Sequence, residues 1–269
     1  MVGLLDTGAA EHVRCRPTSP RPRPAPACSE AKQVLTLEEV ERYGIDSFGD
    51  ANYISIYGMT PSQWYGRGIR LLGRTAVECT RDVLVNRIGR DIAQVVATLP
   101  TATPFTVIDP FAGSCNTLYW ILRNVPNATG IGFELDPQVY ELSKQNIAGL
   151  DQTIALSHGP SETLLSDHPI PPEHALIVFV APPWGTALDE KEGLDLRRTT
   201  PPITEIIADL VRRYPGHKML FATQVYEKVN VASLAELDQM LDWSDLRVYD
   251  LNVEGRNHGS VVGTKGWKP

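Results

Sequence analysis

The hydrophobic and polar positions change period twice along this chain. From Ser62 to Leu99, apolar residues recur every three or four positions: Ile69, Leu72 and Ala76, then Val83, Leu84, Ile88, Ile92, Val95, Val96 and Leu99. That spacing gives one apolar helical face, and Gly73 is expected to divide the stretch into two helices packed beside the first strand. From Phe105 onward, short apolar runs alternate with amphipathic segments. This predicts strands at Phe105–Asp109, Gly130–Glu134, Thr153–Ser157, Leu176–Ala181, Met219–Thr223, Arg247–Asn252 and Ser260–Thr264. Helices are predicted at Asn116–Arg123, Pro137–Ala148, Ile203–Tyr214 and Ser233–Leu241. Strands that alternate with helices wind into a parallel sheet covered on both faces. The short link Glu254–Gly259 suits an antiparallel hairpin, so one strand at the end should run against the rest. The expected fold is α/β and Rossmann-like, a seven-stranded mostly parallel sheet with an N-terminal helical extension.

Local signals mark several helix starts. Thr36 precedes Glu38 and Glu39, Thr60 precedes Pro61, and Asp136 precedes Pro137. Ser233 with Glu236 has the spacing of a capping box. Residues 14–27 alternate Arg and Pro, a composition that forms neither helix nor core, so this segment is expected to be an extended, disordered basic arm. Three regions follow: the arm at 1–33, a helical cap at 34–100 and a ligand-binding domain at 101–269. The aromatic-rich stretch Tyr43, Phe48, Tyr53, Tyr57, Trp64 and Tyr65 admits two readings, the lining of a substrate pocket or the core of the cap.

Composition narrows the classes. At 269 residues, 42% hydrophobic and 21% charged, the chain has the make-up of a globular protein. No apolar run approaches the roughly 20 residues of a membrane helix, and the N-terminus lacks signal-peptide character, so a cytoplasmic location is expected. Cys15, Cys28, Cys79 and Cys115 are scattered without a C-x-x-C pair, which argues against a disulfide framework or a zinc site. Net charge is −7. Residues 1–32 hold five Lys and Arg against three Asp and Glu, a surplus of two, which leaves −9 on the remainder. An acidic body is a poor electrostatic partner for a polyanion.

The chemistry concentrates at strand ends. Asp109 closes the first strand and Pro110-Phe111-Ala112-Gly113 turns the chain, with Gly113 lacking a Cβ where a ligand must approach. Asn116 and Thr117 are expected to cap the next helix, whose N-terminus attracts acceptor groups. Glu134 ends the second strand, 25 residues after Asp109, where a carboxylate can take both hydroxyls of a ribose. Leu135 follows it. Neither G-x-G-x-x-G nor the Walker A pattern is present, so a pyrophosphate ligand is disfavoured. An adenosine ligand without pyrophosphate remains, which is S-adenosylmethionine, with Asp109 placed for its amine. Ser161 or Glu162, after the third strand, is a candidate for the adenine amine, and a plain loop is the alternative.

Asp109-Pro110-Phe111-Ala112-Gly113 followed by Asn116-Thr117 resembles motif I of class I S-adenosylmethionine-dependent methyltransferases. Pro182-Pro183-Trp184-Gly185 resembles motif IV of those that methylate exocyclic amino groups. Tyr57, then Thr60-Pro61, precede them in the order found in the trimethylguanosine synthase family, which methylates the guanine amine of capped RNA. The likeness spans roughly residues 50–225. It implies a cofactor site of Asp109, Phe111, Ala112, Gly113, Asn116, Thr117, Glu134, Leu135, Ser161 and Ala181. It also implies a catalytic rim Ala181-Pro182-Pro183-Trp184 and substrate contacts from Tyr57, Thr60, Trp64 and Trp184.

Two positions depart from that family. Ser114-Cys115 replaces a longer, glycine-richer loop, and Ala181 stands where amino-methylating enzymes carry Asp, Asn or Ser. Ala181 offers only its backbone carbonyl to an acceptor. With the acidic body, this favours methylation of a nitrogen, or of oxygen or carbon, on a planar small molecule. The alternatives are an RNA guanine-N2 methyltransferase using the basic arm, and a non-catalytic binding protein on the same fold. His258 reads as a solvated turn histidine with a general base as alternative, and Asp189–Glu192 as a mobile charged loop. The oligomeric state is not encoded in any motif.

Overall fold

A computed structural model describes residues 32–189, 191–250 and 258–269. The basic arm and most of the Glu254–Gly259 link lie outside the described residues.

Four helices open the described residues: α1 (Leu37–Phe48), α2 (Pro61–Gly66), α3 (Gly73–Glu78) and α4 (Asp82–Val96). There follow β1 (Phe105–Asp109), α5 (Asn116–Asn124), β2 (Ala128–Glu134), α6 (Pro137–Ile147), β3 (Ile154–His158), α7 (Ser161–Leu164) and β4 (Ala175–Val180). A short hairpin pairs β5 (Leu188–Asp189) with β6 (Gly193–Leu194). The chain continues through α8 (Ile203–Arg213), β7 (Met219–Tyr226), α9 (Val231–Met240), β8 (Trp243–Tyr249) and β9 (His258–Lys265).

Seven strands form one sheet in the order β3-β2-β1-β4-β7-β9-β8. β9 runs antiparallel to both neighbours and the other six strands share one direction. This is the Rossmann-like methyltransferase architecture expected from the sequence. Its switch point falls between β1 and β4, where the crossovers diverge and open sheets hold their ligands.

The apolar alternation along the strands explains the two layers. Phe105 and Val107 of β1, with Ile177 and Phe179 of β4, face α4 and α5 on one side. Ile108, Val178, Val180 and Phe221 face α8 on the other. Helix α4 packs on α5 and over β7 and β9 rather than beside the first strand as expected. Its residues Leu84, Ile88, Ile92 and Val95 belong to the sheet's core, whereas residues 35–79 build a core of their own. The helical cap of the sequence reading therefore contributes to two different cores.

Capping chemistry fixes the helix starts, with two corrections. Thr36 caps α1 in a reciprocal box with Glu39, and Asp136 caps α6. Asn230, not Ser233, caps α9, its side chain accepting from Ser233 N at 3.1 Å. Ser233 is buried and uses its hydroxyl to receive Leu196 N. The second correction is at α5, where Cys115 is the cap residue and Asn116 the first helical position. Asp189 ends β5 in the β5–β6 hairpin, its carboxylate receiving Lys191 N and Glu192 N at 2.7 and 2.9 Å. β8 begins at Trp243, earlier than predicted. Its polar residues, half-buried Ser244 and exposed Asp245, hide an edge strand from a hydrophobic pattern.

Candidate active site

The carboxyl ends of β1 and β2 lie side by side, with Asp109 paired across from Gly132. Asp109 is 1% exposed and accepts a hydrogen bond from Phe111 N at 3.0 Å. Burial pushes its carboxyl up to about 7, and the neighbouring Glu134 charge adds to the shift. Glu134 is half-buried, and burial raises its pKa too. Its two oxygens receive Asp136 N at 2.8 Å and Gly113 N at 3.0 Å, so it stitches the turn after β1 to the turn after β2. Among the described residues neither carboxylate has an ion-pair partner. Arg74 acts on Glu134 only from beyond ion-pair distance, so two desolvated acids side by side leave a site of largely unspent negative charge.

The turn itself is tight. Ala112 N bonds Phe133 O at 2.8 Å, Cys115 N bonds Ala112 O at 2.6 Å, and Ser143 Oγ donates to Gly113 O at 2.7 Å. Gly113 and Cys115 both have positive φ, 49° and 62°. The cysteine conformation is one that residues with a Cβ seldom adopt, and such strain persists only where the surroundings hold it. Gly132 provides the floor: a Cβ there would meet Ala112 Cβ and Leu118 Cδ1 at 2.9 Å. Leu135, 68% exposed, stands at the open end of β2 beside Glu134.

Not every predicted residue faces a ligand. Asn116 is buried, receives Tyr57 N on Oδ1 at 2.7 Å, and donates to Thr80 O at 2.7 Å and Asp82 Oδ1 at 3.1 Å. Its side chain joins the N-terminal layer to the sheet and does not cap α5. Thr117 is buried in the first turn of α5. Of the substrate candidates, Trp64 is 1% exposed, lies in the core of the N-terminal layer, and donates Nε1 to Ile54 O at 2.9 Å. Tyr57 is 2% exposed, with its hydroxyl donating to Ser114 O. Thr60 is the cap residue of α2, its N–H held by Gln63 Oε1 at 2.9 Å. Tyr57 and Trp64 lie in the core of the N-terminal layer and do not line an open surface, while Thr60 at the start of α2 is half-buried. Of the pocket and core readings left open for the aromatic stretch, core describes Tyr57 and Trp64.

The other half of the site is the rim after β4. Ala181 packs against the α4–α5 side of the sheet and Pro182 is buried, while Pro183 is exposed. Trp184 turns toward two residues far off in sequence: Tyr226, 6.4 Å away edge-on, and His258, 5.8 Å away at 33°. Tyr226 ends β7 and His258 opens β9, and the two are paired across the ladder. His258 is therefore a partly buried wall beside Trp184, not a solvated turn residue. The signal for it was the hairpin pattern, which places the first residue of β9 at the ligand edge. Asp82 and Ser143 left no such signal, since a lone polar residue on a helix looks the same whether it faces water or a distant turn.

Ser161 opens α7 and shares with Phe111 a cavity of about 470 Å³ that runs between the first turn, α7 and α8. Pro110, Glu162, Glu205 and Asp209 complete its polar and turn-side walls. It adjoins the Asp109 turn on the α8 side of the sheet.

No family model and no curated protein matches the chain. Among solved structures it is similar to the METTL16 MTase domain, with TM-score 0.52, 14% identity, and 72% of each chain covered. A delta-N METTL16 MTase domain also gives TM-score 0.52, at 17% identity over 86% of this chain and 98% of that one. A second crystal form of the METTL16 MTase domain gives 0.50 at 16% identity, covering 72% of both. At these identities the likeness is one of fold, and the chain has the Rossmann-like fold of those methyltransferase domains.

Proposed function

We propose that this chain is an S-adenosylmethionine-dependent methyltransferase acting on a planar small molecule. The observation that carries the reading is the Asp109–Glu134 pair, two desolvated carboxylates on adjacent strand ends with no ion-pair partner among the described residues. The fit to the cofactor is chemical: it brings an ammonium group, a sulfonium and a ribose diol, which are cations and donors for a site rich in acceptors. Asp109 would hold the ammonium group and Glu134 the ribose hydroxyls. Leu135, exposed beside them, offers an apolar face to the adenine.

When bound, the cofactor supplies a methyl group already activated on positively charged sulfur. The chain's task is then positional. Well-oriented reacting pairs gain roughly 7–11 kcal/mol over free encounter. The carbonyls of Ala181 and Pro182 accept from the acceptor's N–H or O–H and aim its lone pair. Trp184, Tyr226 and His258 give a planar acceptor aromatic surfaces to rest against and exclude water from its edge. His258 is also a titratable group at that wall, able to take a proton from the acceptor.

A second reading, methylation of a guanine amine in RNA, is supported by the order Tyr57, Thr60-Pro61, Asp109–Thr117 and Pro182–Gly185, which resembles trimethylguanosine synthases. Calorimetric titration with S-adenosylmethionine and its demethylated product tests the common core of both readings. Incubation with a panel of planar amines, phenols and capped or uncapped RNA, read by mass spectrometry, then separates them. Binding is expected for both cofactor forms, with methylated product from the small acceptors. Failure to bind either form overturns the proposal. Binding without turnover on any acceptor supports a non-catalytic binding protein, and product from RNA alone, with affinity lost on deleting residues 1–30, supports the second reading.

A further inference from the structure

The turn after β1 is short of glycine, holds Cys115 in a left-handed conformation, and yet is closed on nearly every side. One of its carbonyls, Ser114 O, receives the hydroxyl of Tyr57. Tyr57 is itself left-handed, with φ 55°, and its N–H reaches Asn116 Oδ1 at 2.7 Å. The next residue, Gly58, is also left-handed at 75° and donates its N–H to Asp82 Oδ2 at 2.9 Å. Asp82 then receives Asn116 Nδ2 at 3.1 Å and Trp120 Nε1 at 2.6 Å on its other oxygen. Two strained loops, 57–58 and 113–115, therefore lock into one another through one hydroxyl, one amide side chain and one buried carboxylate.

A loop held in sparsely populated backbone angles keeps them only while its neighbours over-determine the geometry. Glycine supplies such angles at no steric cost, and where Ser114-Cys115 stand an external brace must replace that freedom. Ser114 N–H has no acceptor among the described residues. Tyr57 holds the Ser114–Cys115 peptide by its carbonyl and Ala112 O holds the same peptide by Cys115 N–H, while Ser143 Oγ on Gly113 O holds the preceding peptide, the one that carries Ser114 N–H.

We infer that Tyr57 is a positioning residue for the cofactor: its hydroxyl, backed by Asn116 and Asp82, clamps the Ser114–Cys115 peptide and so holds Cys115 left-handed, the conformation on which the shape of the turn and the place of the free Ser114 N–H depend. The inference rests on the reading of this turn as the cofactor's. It moves Tyr57 from the acceptor side of the site to the cofactor side. It also makes the N-terminal layer a condition of cofactor binding, not only a wall for the acceptor.

The experiment compares full-length wild type with Tyr57→Phe, Asp82→Asn and a control, Trp64→Phe. The control deletes a buried hydrogen bond in the same layer, Trp64 Nε1 to Ile54 O, without touching the turn. Two readouts are taken: affinity for the demethylated cofactor by calorimetry, and hydrogen–deuterium exchange of peptides covering residues 111–117. Tyr57→Phe is expected to weaken binding about tenfold, the scale of one buried hydrogen bond, and to speed exchange in the turn. Asp82→Asn should do the same and Trp64→Phe should do neither, even where its melting temperature falls as far. Equal affinity and exchange for Tyr57→Phe and wild type overturn the inference, as does an equal loss in the Trp64→Phe control. If wild type fails to bind the demethylated cofactor, the proposed function falls, and the exchange comparison still decides whether Tyr57 holds the turn.

Discussion

The two ends of the site are built by different means. At the β1–β2 end, backbone and carboxylate groups close on one another: Phe111 N on Asp109, Gly113 N on Glu134 and Ala112 N on Phe133 O make hydrogen bonds of 2.8–3.0 Å within one strand-helix-strand unit. At the β4–β7–β9 end, aromatic rings from three separate segments meet, and Ala181 brings no polar side chain. The first end is polar, dense and local in sequence, whereas the second is apolar and assembled from afar. An end of the first kind fixes one ligand chemistry, while one of the second kind selects by shape and can change acceptor through a few substitutions.

The sharpest test of this contrast is Asp109→Asn, which keeps the acceptor for Phe111 N and removes the charge. Affinity for S-adenosylmethionine is expected to fall on the order of a hundredfold, the worth of a charge-assisted hydrogen bond in a desolvated site. The same change should raise the stability of the ligand-free protein. The folded carboxyl lies at about 7 against an ordinary value of 3.8, so ionising it costs folding free energy. That cost is complete above about pH 7, shrinks as pH falls, and is gone below the unfolded value. Asp109→Asn should therefore raise the melting temperature at pH 8 and leave it unchanged near pH 4. In wild type, cofactor affinity should drop up to about tenfold per pH unit below 7, as the site's charge is neutralised. Calorimetry across pH checks both, and a flat profile would remove Asp109 from the amine site.

Gly132→Ala tests how dense the polar end is. The added methyl meets Ala112 Cβ at 2.9 Å, and Ala112 can yield only by moving the turn's backbone. Overpacking of this kind costs about 1–3 kcal/mol, and here the displaced group is the turn after β1, the proposed cofactor turn. Lower stability together with weaker cofactor binding is expected. Loss of stability alone, by denaturant titration and calorimetry, would show that the turn absorbs the change without consequence.

Trp184→Ala probes the apolar end. Affinity for S-adenosylmethionine should change less than about threefold, while KM for a planar acceptor rises about tenfold, the range for an aromatic contact plus its buried area. A matching loss of cofactor affinity would mean the two ends are one site, and the comparison would fail.

The same division explains what could be read from the chain. β1, α5, α6 and α8 were legible to within a residue or two, because periodicity and caps are local signals. Asp109, Gly113 and Glu134 were legible as a group because one strand-helix-strand unit spaces them. Tyr57 was assigned by its place in a motif, and only the fold brings its hydroxyl to Ser114. Asp82 looks like any acid in a first helical turn, yet it is buried among four donors. The Asn230 cap was masked by Ser233, whose spacing to Glu236 is as good on paper. A hydroxyl that ends up buried under Leu196 cannot be told from one that caps, until the packing is known.

The smallest effect expected is at Gly185, the apolar counterpart of Gly132. Its φ is 48°, so alanine there is strained, but a Cβ would meet nothing within 4 Å. Gly132 is the reverse, with ordinary φ and no room. Gly185→Ala should therefore cost only the backbone term, about 1 kcal/mol. Cofactor affinity should stay at the wild-type value, and acceptor KM should move by less than in Trp184→Ala, since the Trp184 ring keeps its contacts with Tyr226 and His258. If Gly185→Ala disturbs the cofactor as much as Gly132→Ala does, the rim after β4 is braced as tightly as the turn after β1. The difference between the two ends would then lie in their chemistry alone, not in their rigidity.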